Sequence, residues 1–216
     1  MFNIGVWNIR GLNTPGKQRA VKDLISSNKL ACVGFVESKV KCDSIEGVVR
    51  NILPGWAFCS NLSSSPFGRI PVFWNPRLLI VEKSFESSQL VGCHIKAVQV
   101  DVACLAFFVY GSNSVADCRV LWKDIACHAL VSFASPCIFL GDFNVVRFPD
   151  DRSGGCLDWS SSLEECNTGI VDANLEDLHC SGLRFTWRKG NSGVMRKLDR
   201  ALFLLLGMFV LLAVKC

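Results

Sequence analysis

Phe139-Leu140-Gly141-Asp142-Phe143-Asn144 contains the end of an apolar run, which stops at a carboxylate and an amide. The run from Cys137 to Leu140 is predicted to be a buried strand. Three earlier apolar runs end in the same way, in Val6-Trp7-Asn8, Phe35-Val36-Glu37 and Phe108-Val109-Tyr110-Gly111-Ser112-Asn113. Ligands of α/β sheets bind at the carboxyl ends of strands, so these four ends predict one shared pocket.

Between these strand ends, short apolar runs alternate with amphipathic stretches, which is the pattern of a layered α/β domain. Thr14-Pro15 is predicted to begin a helix that runs to about Asn28. Ser114, with Asp117 three residues later, is predicted to begin a second helix. The predicted apolar faces are Val21, Leu24 and Ile25 on the first helix, and Cys118, Leu121, Trp122, Ile125 and Ala129 on the second.

The other apolar runs are predicted to be strands, and those in the middle of the chain are predicted to pair as hairpins. Turn residues such as Asn75-Pro76 separate them. The predicted strands cover 2–7, 31–36, 56–60, 70–74, 78–82, 91–98, 102–110, 184–187 and 194–201, with a further helix over 161–173.

The composition excludes a disordered or fibrous chain, since 50% of the 216 residues are hydrophobic and 19% are charged. The length fits one domain, which we place at residues 1–200. The twelve cysteines lack C-x-x-C spacing and the three histidines lie far apart, so we expect reduced thiols and no zinc site. The N-terminus lacks the basic region of a signal peptide, so we expect an intracellular protein, nuclear or cytoplasmic, that is not secreted.

Residues 201–216 form a hydrophobic tail whose origin the sequence leaves open. The uninterrupted apolar part, 201–214, is shorter than the roughly 20 residues that cross a bilayer as a helix. Three interpretations stay open: a buried terminal strand or helix, a membrane tail, and a segment read in a shifted frame.

The polar residues at the four strand ends have the chemistry of a site for a hard cation and a phosphate. Magnesium is held by one or two carboxylates together with waters and phosphate oxygens, and amide or phenol groups can position those oxygens and an attacking water. Each residue alone has an ordinary explanation: the asparagines as turn formers, Glu37 as an exposed charge, and Tyr110 as a half-buried strand residue. Their recurrence at four strand ends favours a site.

Five short blocks follow one another at domain-like spacing. They are Trp7-Asn8-Ile9-Arg10-Gly11-Leu12-Asn13, Glu37-Ser38-Lys39, Tyr110-Gly111-Ser112-Asn113, Gly141-Asp142-Phe143-Asn144 and Arg196-Lys197-Leu198-Asp199-Arg200. In this order they resemble the motifs of the endonuclease/exonuclease/phosphatase superfamily, which has the DNase I-like fold. Two further stretches, 151–155 and 182–187, resemble the endonuclease domains of plant non-LTR retrotransposons of the LINE type. The resemblance covers about residues 2–200.

The resemblance implies an α/β (α+β) fold: a four-layered sandwich of two mixed β-sheets flanked by helices, here with incomplete C-terminal strands. It also implies phosphodiester cleavage with Mg²⁺, or alternatively Mn²⁺. Glu37 would be the principal metal ligand, helped by Asn8. Asp142 would activate or orient the attacking water, and Asn144 would hold that water or a phosphate oxygen. The residues that would line the site are Tyr110 and Asn113.

Asp199 matches an aspartate that orients a catalytic histidine in this superfamily. That histidine belongs to a Ser-Asp-His motif a few tens of residues further on, and no histidine follows His179 in the 216 residues. We therefore expect the sequence as it stands to be a degenerate endonuclease domain with little or no activity.

Basic residues are concentrated between Arg184 and Arg200, where Asp199 is the one acid. Phe185 and Trp187 lie among them, so the cluster is predicted to follow a nucleic-acid backbone. The alternative is a solvated hairpin with Trp187 in the core, which we favour for Trp187 itself. The basic residues are Arg184, Arg188, Lys189, Arg196, Lys197 and Arg200.

The leading hypothesis is therefore a Mg-dependent DNA endonuclease domain derived from a retrotransposon. A non-catalytic nucleic-acid-binding relic of the same fold is the first alternative. A phosphoesterase acting on phosphoinositides or other small phosphoesters is the second, because one fold supports several chemistries. We expect DNA as the partner of a monomer, with no obligate protein partner and no membrane partner.

Overall fold

The computed structural model describes residues 2–40, 42–65, 70–131, 135–155, 161–179, 183–190 and 192–204. The chain divides into two units, Met1–Tyr110 and Gly111–Cys216. Both units combine helices with β-strands, which confirms the predicted α/β class.

The first unit contains a mixed four-stranded sheet and three antiparallel strands. Its elements are β1 (Asn3–Asn8), α1 (Pro15–Asn28), β2 (Leu30–Val36), α2 (Cys42–Ile52), β3 (Ala57–Cys59), β4 (Val72–Trp74), β5 (Leu79–Glu86), β6 (Leu90–Ala97) and β7 (Ala103–Tyr110). The mixed sheet has the order β1-β2-β4-β3, with β1 and β2 parallel and the other pairs antiparallel. Strands β5, β6 and β7 pair in sequence as an antiparallel meander, which confirms the predicted hairpins.

Helix α1 has the predicted bounds. Thr14 has the extended backbone of an N-cap residue, but its side chain makes no capping hydrogen bond. On the predicted apolar face, Val21 and Ile25 are buried and Leu24 is half-buried. The helix is therefore held by this face more than by its cap.

Helix α2 is absent from the predicted elements. Val49 and Ile52 of α2 are buried in one core with Phe35 of β2 and Phe73 of β4. Gly47 lies in the middle of the helix, and glycine lowers helix propensity by about 1 kcal/mol relative to alanine. Tertiary packing therefore forms a helix that local propensity disfavours.

Strands β2 and β7 approach each other closely at Gly34. A Cβ atom there would lie 2.3 Å from Cδ1 of the Phe108 ring. Phe108 is itself fully buried, so no larger residue fits at position 34 without displacing the ring. This contact fixes the two strands just before each reaches its polar end.

The second unit contains a pair of packed helices and two sets of three antiparallel strands. Its elements are α3 (Val115–Val131), β8 (Cys137–Asp142), a 3₁₀ turn (Pro149–Asp151), β9 (Arg152–Ser153), α4 (Ser161–Asp172), β10 (Leu175–Asp177), β11 (Trp187–Arg188), β12 (Met195–Arg196) and β13 (Asp199–Leu204). Strand β13 pairs with both β8 and β10. Strand β12 pairs with both β9 and β11.

The apolar face predicted for α3 is confirmed. All five of its predicted residues are buried. Trp122 from this face stacks on Phe143, with 6.1 Å between the ring centroids. Gly169 of α4 lies directly against the same tryptophan, since a Cβ there would be 3.1 Å from Cβ of Trp122. The two helices thus pack through Trp122.

The last predicted strand is divided into β12 and β13. Between them, the Lys197 N–H donates to the Asp151 carbonyl at 2.8 Å. The N–H groups of Leu198 and Asp199 both donate to the Thr186 hydroxyl, each at 3.1 Å. These donors bond outside the strand ladder, so the ladder is interrupted here.

The apolar tail begins inside the core. Ala201, Leu202 and Leu204 lie in β13 and are at most 2% exposed. The first residues of the tail thus form the central strand of the set β8-β13-β10. Residues 205–216 lie outside the described part of the chain. Within the described residues, no helix has both the length and the apolar character to cross a membrane.

Eight cysteines carry free thiols: Cys32, Cys59, Cys93, Cys104, Cys118, Cys127, Cys137 and Cys166. Most of them are buried, including Cys32, Cys104 and Cys137. A buried free thiol behaves as a small apolar side chain, so these residues serve the core.

Candidate active site

Asn8 and Glu37 lie at the carboxyl ends of two adjacent strands. β1 and β2 are parallel, and Asn8 is in register with Val36, the last residue of β2. The Ile9 N–H donates to the Val36 carbonyl at 3.2 Å, so the chains leave the sheet side by side. The structure thus brings the two residues predicted as metal ligands to the same sheet edge.

The backbone of Glu37 has a conformation that glutamate rarely adopts. Its φ is 56°, in the left-handed region, which costs an L-residue about 1–2 kcal/mol. The Gly11 N–H donates to the Glu37 carbonyl at 2.8 Å and fixes this turn. Backbone conformations of this kind concentrate at functional sites, so the geometry supports a role for Glu37.

The Glu37 carboxylate is paired and remains accessible. Lys39 Nζ lies 3.0 Å from Glu37 Oε1, and the two side chains are 62% and 24% exposed, respectively. An exposed pair of this kind contributes at most about 1 kcal/mol, so a bound metal ion can replace the ammonium group.

Lys17 holds the loop that follows β1, a role that the sequence did not predict. Its ammonium group donates to the carbonyls of Ile9 and Arg10, the latter at 2.7 Å. These carbonyls directly follow Asn8 in the chain. In the sequence, Lys17 cannot be told from a solvated lysine in the first turn of a helix.

Tyr110 ends β7 and is half-buried. Its N–H donates to the Gln89 carbonyl at 2.9 Å, which anchors the strand end. The first unit therefore presents Asn8, Glu37 and Tyr110, each at the end of a strand.

In the second unit, Asp142 and Asp199 lie directly opposite each other. They are register partners in the antiparallel pair β8 and β13. Register partners share a face of the sheet, with their Cβ atoms about 4.5–5.5 Å apart. Asp142 is 4% exposed and Asp199 is half-buried. The structure thus brings two of the predicted catalytic carboxylates to one face of this sheet.

Asn144 is anchored next to Asp142. Its N–H donates to Asp142 Oδ1 at 2.9 Å, and its Nδ2 donates to the Gly111 carbonyl at 2.6 Å. The Gly111 N–H donates to the Asp142 carbonyl at 2.7 Å. A Cβ at position 111 would lie 2.4 Å from the Phe143 carbonyl oxygen, so only glycine fits. Two short segments of the second unit are thereby locked around Asp142.

Asn113 is exposed in the loop that leads into α3. Ser112 Oγ donates to Asp117 Oδ2 at 3.0 Å and accepts from the Ser114 N–H at 3.1 Å. The loop is thus shaped by its serine and aspartate, and Asn113 lies at its surface.

Thr186 positions Asp199, and the sequence did not single it out. As described above, its hydroxyl accepts hydrogen bonds from the N–H groups that begin β13. Its own N–H donates to the Arg196 carbonyl at 3.0 Å. The sequence signal that could have identified Thr186 is the block 182–187, in which this threonine stands between two aromatic residues.

The prediction that Arg200 contacts nucleic acid is wrong. Its side chain is 1% exposed and lies 2.6 Å from Asp151 and 3.3 Å from Asp177. Arg147 also pairs with Asp177, at 2.8 Å. A guanidinium group enclosed by two carboxylates cannot reach a phosphate backbone, so Arg200 serves the core of the unit.

The other basic residues of this segment are more accessible. Arg188 and Lys189 are exposed. Arg184 pairs with Asp150 at 3.5 Å and is 58% exposed. Arg196 lies over the Trp187 ring, 5.3 Å from its centroid. Both residues of that stack and Lys197 are half-buried.

The candidate residues offer carboxylate and amide oxygens, the donors that hard divalent cations prefer. In the described part of the chain, no three or more His, Cys, Asp or Glu side chains are grouped closely enough to hold a metal ion. A magnesium ion needs only one or two carboxylates, because waters and substrate oxygens complete its shell. The donor set therefore fits such an ion in chemical type.

Residues 5–203 match the Endonuclease/Exonuclease/phosphatase family. The chain belongs to this family. The matched range contains every predicted site residue, from Asn8 to Arg200. No curated protein matches this family member significantly in sequence.

Several solved structures resemble this chain in fold. The AP endonuclease LMAP from Leishmania major aligns with a TM-score of 0.71 and 13% identity, over 95% of this chain and 79% of that one. The endonuclease domain of TRAS1, a telomere-specific non-LTR retrotransposon, aligns with a TM-score of 0.66 and 11% identity, over 95% and 86%. A mannosyl-6-phosphatase from Bacteroides thetaiotaomicron aligns with a TM-score of 0.62 and 13% identity, over 95% and 86%.

At these identities the likeness shows the fold alone. The DNase I-like fold, with two large mixed sheets flanked by helices, is thereby confirmed for this family member. The family comprises nucleases and phosphoesterases that generally depend on a divalent metal ion.

Proposed function

We propose that the chain is a magnesium-dependent DNA endonuclease domain of the non-LTR retrotransposon type. The observation that carries the proposal is the carboxylate pair of Asp142 and Asp199, with Asn144 anchored beside it. We also propose that the domain meets its DNA inside the cell, in the nucleus or the cytoplasm.

The residues of each unit have distinct roles in this proposal. Glu37 and Asn8 would hold the ion, which supplies positive charge for a phosphate oxygen. Asp142 accepts a proton from the attacking water, and burial in a rigid strand keeps its carboxylate oriented. Asn144 has a second amide hydrogen to donate to that water or to a phosphate oxygen. Asp199 orients a basic partner, and Thr186 fixes its backbone.

The retrotransposon origin rests on the blocks 151–155 and 182–187 and on the five ordered motifs. The same fold carries phosphatases, so a phosphate-release screen with small phosphoesters serves as the contrast. For a version extended by a family-like end with a Ser-Asp-His motif, we expect plasmid nicking that requires magnesium and no release of phosphate from small esters. Phosphate release without nicking would contradict the DNA substrate.

Glu37→Gln is expected to weaken magnesium binding about tenfold or more, since the substitution keeps the size of the side chain and removes its charge. Calorimetric titration with magnesium measures the affinity. Glu46→Gln is the control, because Glu46 lies exposed on α2 and pairs with Arg50 at 3.4 Å. Equal affinities in the two variants would place the metal elsewhere.

Binding to duplex DNA is expected to weaken steeply as salt rises, because phosphate contacts release counterions. Arg188 and Lys189 are exposed, and their joint replacement by alanine should lower the salt slope by about 2. Fluorescence anisotropy at several salt concentrations measures the slope, and Lys22→Ala on the exposed side of α1 is the control. An unchanged slope in the double variant would remove this segment from the binding surface. The non-catalytic alternative predicts the same binding without any nicking.

A further inference from the structure

Two cysteines of the first unit lie close together. Cys59 is the last residue of β3, and Cys93 lies in the middle of β6. Their Sγ atoms are 3.8 Å apart. A disulfide bond is about 2.05 Å long, so the sulfur atoms need to approach by less than about 2 Å.

The two thiols are not equivalent. Cys59 is half-buried, whereas Cys93 is fully buried. The hydrogen bond with Cys93 and the nearby Lys83 ammonium hold the pKa of the Cys59 thiol below its usual range. The same hydrogen bond and burial raise the pKa of Cys93. Cys59 is therefore the thiol that ionises and meets a solute first.

Lys83 supplies the positive charge beside the pair. It is the register partner of Cys93 across β5 and β6. Its Nζ donates to the carbonyl of Ser60, the residue after Cys59, at 3.3 Å, and also pairs with Glu86. A cation next to a thiol favours the thiolate, which is the nucleophilic form.

Two further thiols of this unit are expected to be oxidised more slowly than Cys59. Cys32 and Cys104 are buried, and burial raises the pKa of Cys104 to about 11 and that of Cys32 well above its usual value. Buried thiols that stay protonated react slowly with a solute such as a peroxide. The asymmetry of the pair thus selects Cys59 as the first site of oxidation.

We propose that Cys59 and Cys93 are a redox pair that a peroxide converts into a disulfide. The Cys59 thiolate attacks one peroxide oxygen, so that an S–O bond forms, the O–O bond breaks and hydroxide leaves. The Cys93 sulfur then attacks the Cys59 sulfur. An S–S bond forms, the S–O bond breaks, and the departing oxygen takes the Cys93 proton and leaves as water. Two thiols and one hydrogen peroxide thereby give one disulfide and two waters.

The bond would join two sets of strands within the first unit. β3 is the edge strand of the mixed sheet, and β6 is the central strand of the meander. The two cysteines are 34 positions apart in sequence, and β4 and β5 lie between them. Closing a loop of this length restricts the unfolded chain, so the oxidised protein should melt at a higher temperature.

The test treats the full chain with graded hydrogen peroxide, blocks the remaining thiols by alkylation and maps linked peptides by mass spectrometry. We expect a Cys59–Cys93 linked peptide at the lowest peroxide dose that changes any thiol, and its loss after dithiothreitol. The melting temperature should rise on oxidation and return on reduction. Oxidation of the exposed Cys127 while Cys59 and Cys93 stay reduced would overturn the proposal.

Two variants separate the chemical steps. In Cys93→Ser, the Cys59 sulfenic acid has no thiol to resolve it, so dimedone should label Cys59 strongly, whereas labelling in the unmodified chain should be weak. Cys127→Ser is the matched control and should form the linked peptide as the unmodified chain does. Equal dimedone labelling with and without Cys93 would show that the two sulfurs do not react with each other.

Discussion

Replacing Arg200 with methionine is expected to lower the free energy of unfolding by about 3–5 kcal/mol, because it leaves a buried carboxylate without its cation. The Arg200 side chain is 1% exposed, and its closest partner, Asp151, is 7% exposed. Asp177 keeps Arg147 as a partner, so most of the loss arises at Asp151. Urea denaturation followed by circular dichroism measures the change.

Two comparison variants make this result specific. Arg184→Met removes an exposed pair with Asp150, so its effect should stay within about 1 kcal/mol. Replacing Asp151 with leucine together with Arg200→Met removes both charges and should recover stability relative to Arg200→Met alone. If Arg200→Met and Arg184→Met lose equal stability, the buried network does not hold the unit together.

Supplying a histidine to Asp199 is expected to raise the nicking rate of the 216-residue polypeptide by about 10²–10³-fold. A single donor to the transition-state phosphate typically contributes this much. The aspartate is already in place, since it is paired in register with Asp142 and its N–H donates to Thr186. The comparison is between the polypeptide and a version extended by a family-like end with a Ser-Asp-His motif, both assayed on supercoiled plasmid with magnesium.

The extended version needs its own controls. Asp142→Ala in the extended polypeptide should abolish the gain, whereas Asp172→Asn at the exposed end of α4 should not affect it. Equal nicking by the two lengths would mean that Asp199 works without a histidine.

The strand ends were predictable because a hydrophobic run and the polar residue that ends it are adjacent in the sequence. Asn8, Glu37, Tyr110 and Asp142 all occupy the strand ends expected of them. The pairing of Asp142 with Asp199 was not visible, because it depends on the register of strands that are far apart in the chain. That all of these residues surround one pocket stays a prediction.

Arg200 shows why charge alone misassigns a residue. In sequence it belongs to a basic cluster, but its partners are Asp151 and Asp177, which stand outside that cluster. Helix α2 was missed for a similar reason, since its buried face is completed by β2 and β4. Whether a charged side chain is buried, and whether a short helix packs into a core, depends on residues far away in the sequence. A local sequence pattern does not include those residues.

The left-handed backbone of Glu37 opposes the stability of the fold to the metal-binding role that we propose for this residue. Glycine adopts this conformation without strain, and asparagine adopts it more readily than glutamate. A library randomised at this position and sorted only for heat resistance would be enriched in glycine and asparagine. The same library sorted for binding of a divalent ion would retain acidic residues. Selection for stability alone would therefore remove the carboxylate that we propose as the metal ligand.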